Sequence, residues 1–218
     1  MKTKYNLPLV LSYPRSGMNW LRHCVERMSG LRTPGPDLGL VDSETYAFCR
    51  IHNILRGQHK ASPRGSSWEK VCLILRDYRE NYVRTPLLQR RRYTTWKAWN
   101  YTSYAENIRY FDQFDGPKLL VRYEDHAGGF GETIRFLDWA GIECTALTDD
   151  DLAEEVTRSK QCYNSQHKKY YRRTPQREIT DEVKRASKAS LFNILGDDLF
   201  DKYLGCYDDS PQPVRSAA

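Results

Sequence analysis

At 218 residues, with 39% apolar and 12% aromatic side chains, the chain is long enough for one domain with a real core and too rich in aromatics for disorder. Its formal charge of +6 suits anionic ligands without choosing among nucleotides, sulfated glycans and nucleic acid, because runs such as Arg90-Arg91-Arg92 and Lys168-Lys169-Tyr170-Tyr171-Arg172-Arg173 are usually solvated faces. No apolar run approaches a membrane span, no secretory leader is visible at Met1, and the six cysteines show neither CxxC nor other metal-ligand spacing, so a reduced, cytoplasmic, metal-free protein is expected.

Residues 7–12 form the first short apolar run and predict a buried strand. Met18, Leu21, Val25 and Met28 then recur at helical spacing, with Gly30 as the stop. A second strand is expected at 47–51 and a third at 71–75. A long helix follows over 94–114, anchored by Trp96, Trp99, Ile108 and Phe111. The fourth strand falls at 118–121, and Ile134, Phe136, Leu137 and Trp139 mark another helix closed by Gly141. Residues 180–204 hold two further helices broken near Gly196-Asp197. Loops are expected over 31–43, 57–67 and 160–176. Alternating strands and helices imply a single α/β domain built on a central parallel sheet flanked by helices, with domain bounds of 1–208 and a flexible tail at 209–218.

The strongest local signal is the passage from the first strand through Tyr13-Pro14-Arg15-Ser16-Gly17-Met18-Asn19-Trp20 into a helix. Ligands of open α/β sheets bind beyond the carboxyl ends of the strands. A glycine-bearing turn there exposes backbone N–H groups, the following helix N-terminus adds partial positive charge, and Arg15 adds a full one. The result suits a phosphate or a sulfate ester. The GxxxxGK[ST] spacing is absent, which disfavours a nucleoside triphosphatase. On physics alone an ordinary tight turn with a surface arginine is an equal reading.

Tyr-Pro-Arg-Ser-Gly-x-x-Trp after a first strand resembles the 5′-phosphosulfate loop of sulfotransferases that use 3′-phosphoadenosine 5′-phosphosulfate (PAPS), usually Tyr-Pro-Lys-Ser-Gly-Thr-Thr-Trp. The resemblance implies a P-loop-like sulfotransferase fold, PAPS as donor and 3′-phosphoadenosine 5′-phosphate (PAP) as product. It places the basic contact to sulfate and bridging oxygen on Arg15, and the 5′-phosphate on the loop of Pro14, Ser16 and Gly17. Trp20 takes the adenine-stacking role. Met18 and Asn19 replace the two usual threonines; Asn19 can still donate a hydrogen bond and Met18 cannot.

The third strand runs into Arg76-Asp77-Tyr78-Arg79-Glu80-Asn81-Tyr82-Val83-Arg84, similar to the family's Arg-Asn/Asp-Pro segment ending in Val-Ser. Arg76 matches the arginine that binds the 3′-phosphate, and Arg84 stands where serine is usual, with a guanidinium fork able to hold phosphate. A solvated helix start is the plainer reading of both. Tyr123-Glu124-Asp125 resembles the Tyr-Glu-Asp strand end, giving Tyr123 an adenine-side contact and its neighbours structural acceptor roles. Arg172 and Arg173 fall where the family closes a basic loop over the 3′-phosphate, although the Gly-Asp-Trp that usually follows is missing.

In-line sulfuryl transfer needs position, charge stabilisation and a proton acceptor. Arg50-Ile51-His52 follows the second strand about where family members carry Lys-Thr-His, so His52 is the expected base and Arg15 its catalytic partner. His59, Asp42 and Glu44 are the fallbacks, while His23, His126 and His167 have no such placement. A packing histidine is the plainer alternative for His52. The competing functions are a nucleotide-binding phosphotransferase, a non-catalytic relative that binds nucleotide, and a basic binding module for nucleic acid or sulfated polymers, suggested by Arg90-Arg91-Arg92, Trp96 and Trp99. No nucleic-acid motif supports the last. The acceptor is expected to be a small molecule or glycan; the sequence does not specify which, nor an oligomeric state.

Overall fold

The expected apolar runs become the strands of one parallel sheet in the computed structural model, which describes residues 4–34, 46–54, 67–84, 96–145, 147–165 and 179–208. The strands are β2 (Leu9–Ser12), β3 (Cys49–Ile51), β5 (Val71–Leu75) and β6 (Lys118–Arg122), in the order β3-β2-β5-β6. Register pairs Leu11 with Ile51 on one side and with Leu73 on the other. Leu75 pairs with Arg122. β2 starts later than the apolar run because Pro8 has no N–H to give, although its carbonyl accepts from Cys49 at 2.9 Å. Ala47 is held instead by the Arg32 carbonyl at 3.0 Å, so the second run joins the sheet only from Cys49. A separate two-stranded parallel ladder pairs β1 (Lys4–Tyr5) with β4 (Ser67–Trp68); runs this short carry no periodic signal, and Ser67 was expected in a loop.

The helices are α1 (Met18–Ser29), α2 (Tyr78–Arg84), α3 (Trp96–Gln113), α4 (Tyr123–Ala127), α5 (Gly131–Ala140), α6 (Leu152–Ser165), α7 (Asp181–Leu195) and α8 (Asp197–Leu204). Side chains alternate across a strand, so each strand feeds two cores. Leu9, Leu11, Leu73 and Leu75 meet Tyr104, Ile108 and Phe111 of α3, Leu191 of α7 and Phe200 of α8. On the opposite face Val10, Cys72, Ile74 and Val121 meet Leu21, Cys24 and Val25 of α1 and Phe136 of α5. Burial on both faces is why these strands read as continuous apolar runs, and each fully buried Leu or Val contributes roughly 1.5–3 kcal/mol.

Three helix ends follow local chemistry. Gly30 and Gly141 close α1 and α5 in the left-handed conformation, at φ 72 and 77. Thr180 caps α7 by accepting from the Val183 amide at 3.3 Å. α6 corrects the expected loop at 160–176, because 160–165 continue a helix. Its apolar stripe is weak, and it is held to α1 by the buried Glu155 carboxylate, which His23 and Arg27 of α1 meet and which sequence spacing does not reveal. The remainder of that loop, most of 31–43 and 57–66, and the tail 209–218 lie outside the described residues, as do the side chains of Trp96 and Trp99.

α1 leaves β2 toward one face of the sheet, whereas α2 and α3 leave the adjacent β5 toward the other. Divergence of neighbouring connections opens a crevice at the carboxyl ends of β2 and β5, where such sheets bind ligands.

Candidate functional site

The loop after β2 folds as a tight turn, with the Ser16 amide donating to the Tyr13 carbonyl at 3.0 Å. Pro14 occupies the second turn position, where its fixed φ fits, and Arg15 occupies the third at φ 75. A positive φ at that corner is normally left to glycine or asparagine, and holding an L-residue there costs roughly 1–2 kcal/mol. Arg15 alone among the described non-glycine residues has this geometry, and its side chain is exposed. Backbone strain of this kind concentrates where a side chain must be aimed.

Gly17 follows at φ 93 and serves as the cap of α1. Any Cβ on it would overlap the Tyr123 ring, so two independent constraints, dihedral and space, demand glycine. The amides of Gly17, Met18 and Asn19 have no partner among the described residues, no side chain caps this end, and the first turn of α1 carries no acidic residue. Orphan N–H groups and the positive end of the helix dipole thus coincide at this end of α1.

The other expected residues are distributed around this turn. Ser16 is fully buried, its Oγ accepting from Asn81 Nδ2 of α2 at 3.4 Å. Met18 points into the core under the sheet and Asn19 is exposed, so the two threonine replacements serve different ends. Trp20 is half-buried; its Nε1 donates to the His126 carbonyl at 3.0 Å and its ring stacks on His23 at 5.8 Å. Arg76 reaches back from the end of β5, donating to the Arg15 carbonyl at 3.1 Å, lying 4.0 Å over the Tyr123 ring and pairing with Glu80 at 3.6 Å. Arg84 ends α2, with its side chain outside the described residues; Arg172, Arg173, His59, His167, Asp42 and Glu44 lie wholly outside them, as does Arg90-Arg91-Arg92.

The strand-end corners are laced together behind Arg76. Glu124 accepts from the Asp77 amide at 2.9 Å and from the Tyr207 hydroxyl at 3.0 Å, the structural role expected of it. The Tyr104 hydroxyl donates to the Arg76 carbonyl at 2.9 Å, and Tyr78 donates to Asp208 at 2.6 Å.

His52 lies just beyond β3, beside the same crevice. Its Nδ1 stands 2.8 Å from Ser12 Oγ and 3.2 Å from the Ser12 carbonyl. Asn107 of α3 donates to the His52 carbonyl at 3.1 Å and to the Ser12 carbonyl at 3.4 Å, and accepts from the Ile54 amide at 3.0 Å. Burial, then the positive charge of Arg50, push the His52 pKa down to about 4 against the opposing pull of the Ser12 carbonyl. The ring is therefore neutral near pH 7, the protonation state a general base requires.

Sequence reasoning missed Ser12, Asn81 and Asn107. A signal existed for Asn107: Ser103 and Asn107 are polar residues four apart on the helix face that carries Tyr104, Ile108 and Phe111, and both are buried. Polar groups inside an apolar stripe bond to something.

No family model matches the chain, and no curated protein does either. Among solved structures the chain is similar to mouse sulfotransferase SULT7A1 complexed with PAP, at TM-score 0.55 and 14% identity, over 96% of this chain and 91% of that one. At that identity the likeness is one of fold. Among the described residues no helix is long and apolar enough to cross a membrane, and no group of His, Cys, Asp or Glu is arranged to hold a metal.

Proposed function

We propose that the chain is a PAPS-dependent sulfotransferase that delivers a sulfuryl group to a hydroxyl or amine of a small-molecule or glycan acceptor. The observation that carries this reading is the row of unpartnered amides at Gly17, Met18 and Asn19, overhung by the strained Arg15 corner at the carboxyl end of β2. Those donors fit a phosphosulfate: they are cationic or N–H in character, and the first turn brings no carboxylate to repel an anion. The fold shared with a PAP-complexed sulfotransferase points the same way.

PAPS supplies a sulfuryl group already activated as an anhydride with phosphate. The loop from Pro14 to Asn19 holds the 5′-phosphosulfate, and Arg15 stabilises negative charge on the departing phosphate oxygen. Trp20 and Tyr123 provide the adenine side, with Arg76, Arg84, Arg172 and Arg173 assigned to the 3′-phosphate. His52 accepts the proton of the acceptor hydroxyl or amine as its oxygen or nitrogen bonds to sulfur and the sulfur–phosphate oxygen bond breaks. The chemistry calls for no metal. A reduced, cytoplasmic setting belongs to the same proposal.

The test is a thermal melt with PAP beside equal ADP and AMP. A ligand bound only by the native state adds about 2.7 kcal/mol at a hundred times its Kd. PAP is expected to raise the melting temperature well beyond ADP or AMP, and Arg15→Ala to remove that difference. Equal stabilisation by ADP would sink the 3′-phosphate assignment and favour a phosphotransferase. With PAPS and an acceptor, His52→Ala should abolish turnover while leaving PAP binding intact.

A further inference from the structure

Ser12 and Asn107 stand outside every motif identified in the sequence, yet both converge on His52. Ser12 is fully buried at the end of β2, and Asn107 is 1% exposed on α3. The decisive contact is that of His52 Nδ1 with the Ser12 carbonyl at 3.2 Å. A carbonyl oxygen only accepts, so this approach is a hydrogen bond when Nδ1 carries the proton and a meeting of two lone pairs when it does not. The nearer Ser12 Oγ, at 2.8 Å, could serve either tautomer by rotating its hydrogen; the carbonyl cannot. Both contacts fall on the same ring nitrogen, and Nε2 has no hydrogen-bond partner among the described residues.

We propose that Ser12 and Asn107 are positioning residues that hold His52 as the Nδ1–H tautomer with a lone pair on Nε2, making Nε2 the proton acceptor of the transfer reaction. The proposal rests on the sulfotransferase reading for its consequence, but not for its geometry. Ser12 sets the tautomer through its carbonyl, and its hydroxyl holds the same ring nitrogen in place. Asn107 sets the ring's place, because one side-chain amide spans the Ser12 carbonyl, the His52 carbonyl and the Ile54 amide and so ties the segment after β3 to the end of β2. When Nε2 takes a proton from the acceptor, the imidazolium keeps its Nδ1–H bond to the Ser12 carbonyl, so no bond is broken as the charge appears.

The test begins with nitrogen-15 NMR of the histidine rings in the full chain at neutral pH, which distinguishes the two tautomers without needing any activity. His52 is expected as Nδ1–H; Nε2–H would overturn the proposal whether or not the chain transfers sulfate. Absence of transfer with every acceptor would sink the functional reading while leaving the tautomer result standing. In an active enzyme, Asn107→Leu and Ser12→Ala should lower kcat about ten- to a hundredfold with little change in the KM for PAPS. Ser12→Thr keeps the hydroxyl and should recover most of the rate. An equal loss in Ser12→Thr and Ser12→Ala, or a loss confined to KM, would assign Ser12 a packing role only. Should Asn107→Leu fail to fold, Asn107→Asp, which keeps the acceptor for Ile54 but removes the donor to both carbonyls, carries the same expectation.

Discussion

Arg15 is held at a φ of 75, a conformation that suits glycine better, so its side chain and its backbone are in conflict. Arg15→Gly should therefore leave the fold as stable or stabilise it by up to about 1 kcal/mol, while the PAP-induced shift in melting temperature collapses. A variant that melts lower and still responds to PAP would show that the guanidinium stabilises the fold and does not bind the anion. Gly17 presents the opposite case. Gly17→Ala adds a methyl against the Tyr123 ring at a φ of 93, and is expected to lower stability by about 1–3 kcal/mol in urea titration. The double change Gly17→Ala with Tyr123→Ala removes the overlap but not the dihedral strain, so it should recover only part of the loss. The residue types at these positions were legible in the sequence as a motif. The left-handed arginine was not, because nothing in its identity announces a positive φ.

At the scale of elements, α1 is held from two sides. One face packs on the sheet through Leu21, Cys24 and Val25, and the other meets α6 through a buried carboxylate. Glu155 accepts from His23 Nε2 at 2.7 Å, from Arg27 Nε at 3.1 Å and from Arg158 Nη1 at 2.9 Å. Burial alone would raise its pKa, but the hydrogen bonds from Arg27 and His23 and the charge of Arg27 hold the carboxyl below its ordinary value. His23 in turn stacks under Trp20. Glu155→Ala leaves His23 without its acceptor while Arg27 and Arg158, both nearly half exposed, turn to solvent, and should cost about 1–3 kcal/mol in stability. Because the stack on Trp20 loosens with it, the tryptophan emission of the folded variant should also shift. α6 escaped the sequence reading for the same reason that it is stable: its anchor is one charged residue, which spacing rules treat as solvent-facing.

For the whole molecule, His52 and His126 make acid the vulnerable direction. Burial is the leading cause in both, and each folded pKa is lowered to about 4. An unfolded histidine titrates near 6.5, so between the two values the unfolded chain binds more protons and stability rises with pH. The contribution is complete above about pH 6.5 and is lost as pH falls toward 4, on the order of 3 kcal/mol per histidine. The urea midpoint should drop steeply over that window. His126→Leu, at a position whose Nε2 is buried with no partner among the described residues, should flatten the drop. A midpoint independent of pH across the window would contradict both assignments. Cysteine access gives a second global readout: Cys144, Cys162 and Cys206 are exposed, whereas burial raises the Cys24 thiol to about 12 and pushes Cys72 further up. Native alkylation should modify the three exposed thiols, and denaturant should release the rest.

The sequence alone determined the four-stranded sheet, the helices α1, α3, α5, α7 and α8, and the glycine-bearing turn after β2. Each is written locally, in apolar runs buried on two faces, in helical spacing, and in a proline–arginine–serine–glycine turn ahead of a helix. Only the tertiary structure decided what stands around that turn. The Nδ1 contacts of His52, the grip of Arg76 on the Arg15 carbonyl and the ring of Tyr123 over Gly17 join residues 40, 61 and 106 positions apart, counting from Ser12, Arg15 and Gly17. Sequence periodicity reports which face of an element is buried. Which polar groups meet across the crevice depends on how β2, β3, β5 and α3 are brought side by side, and that is fixed by the packing of the two cores.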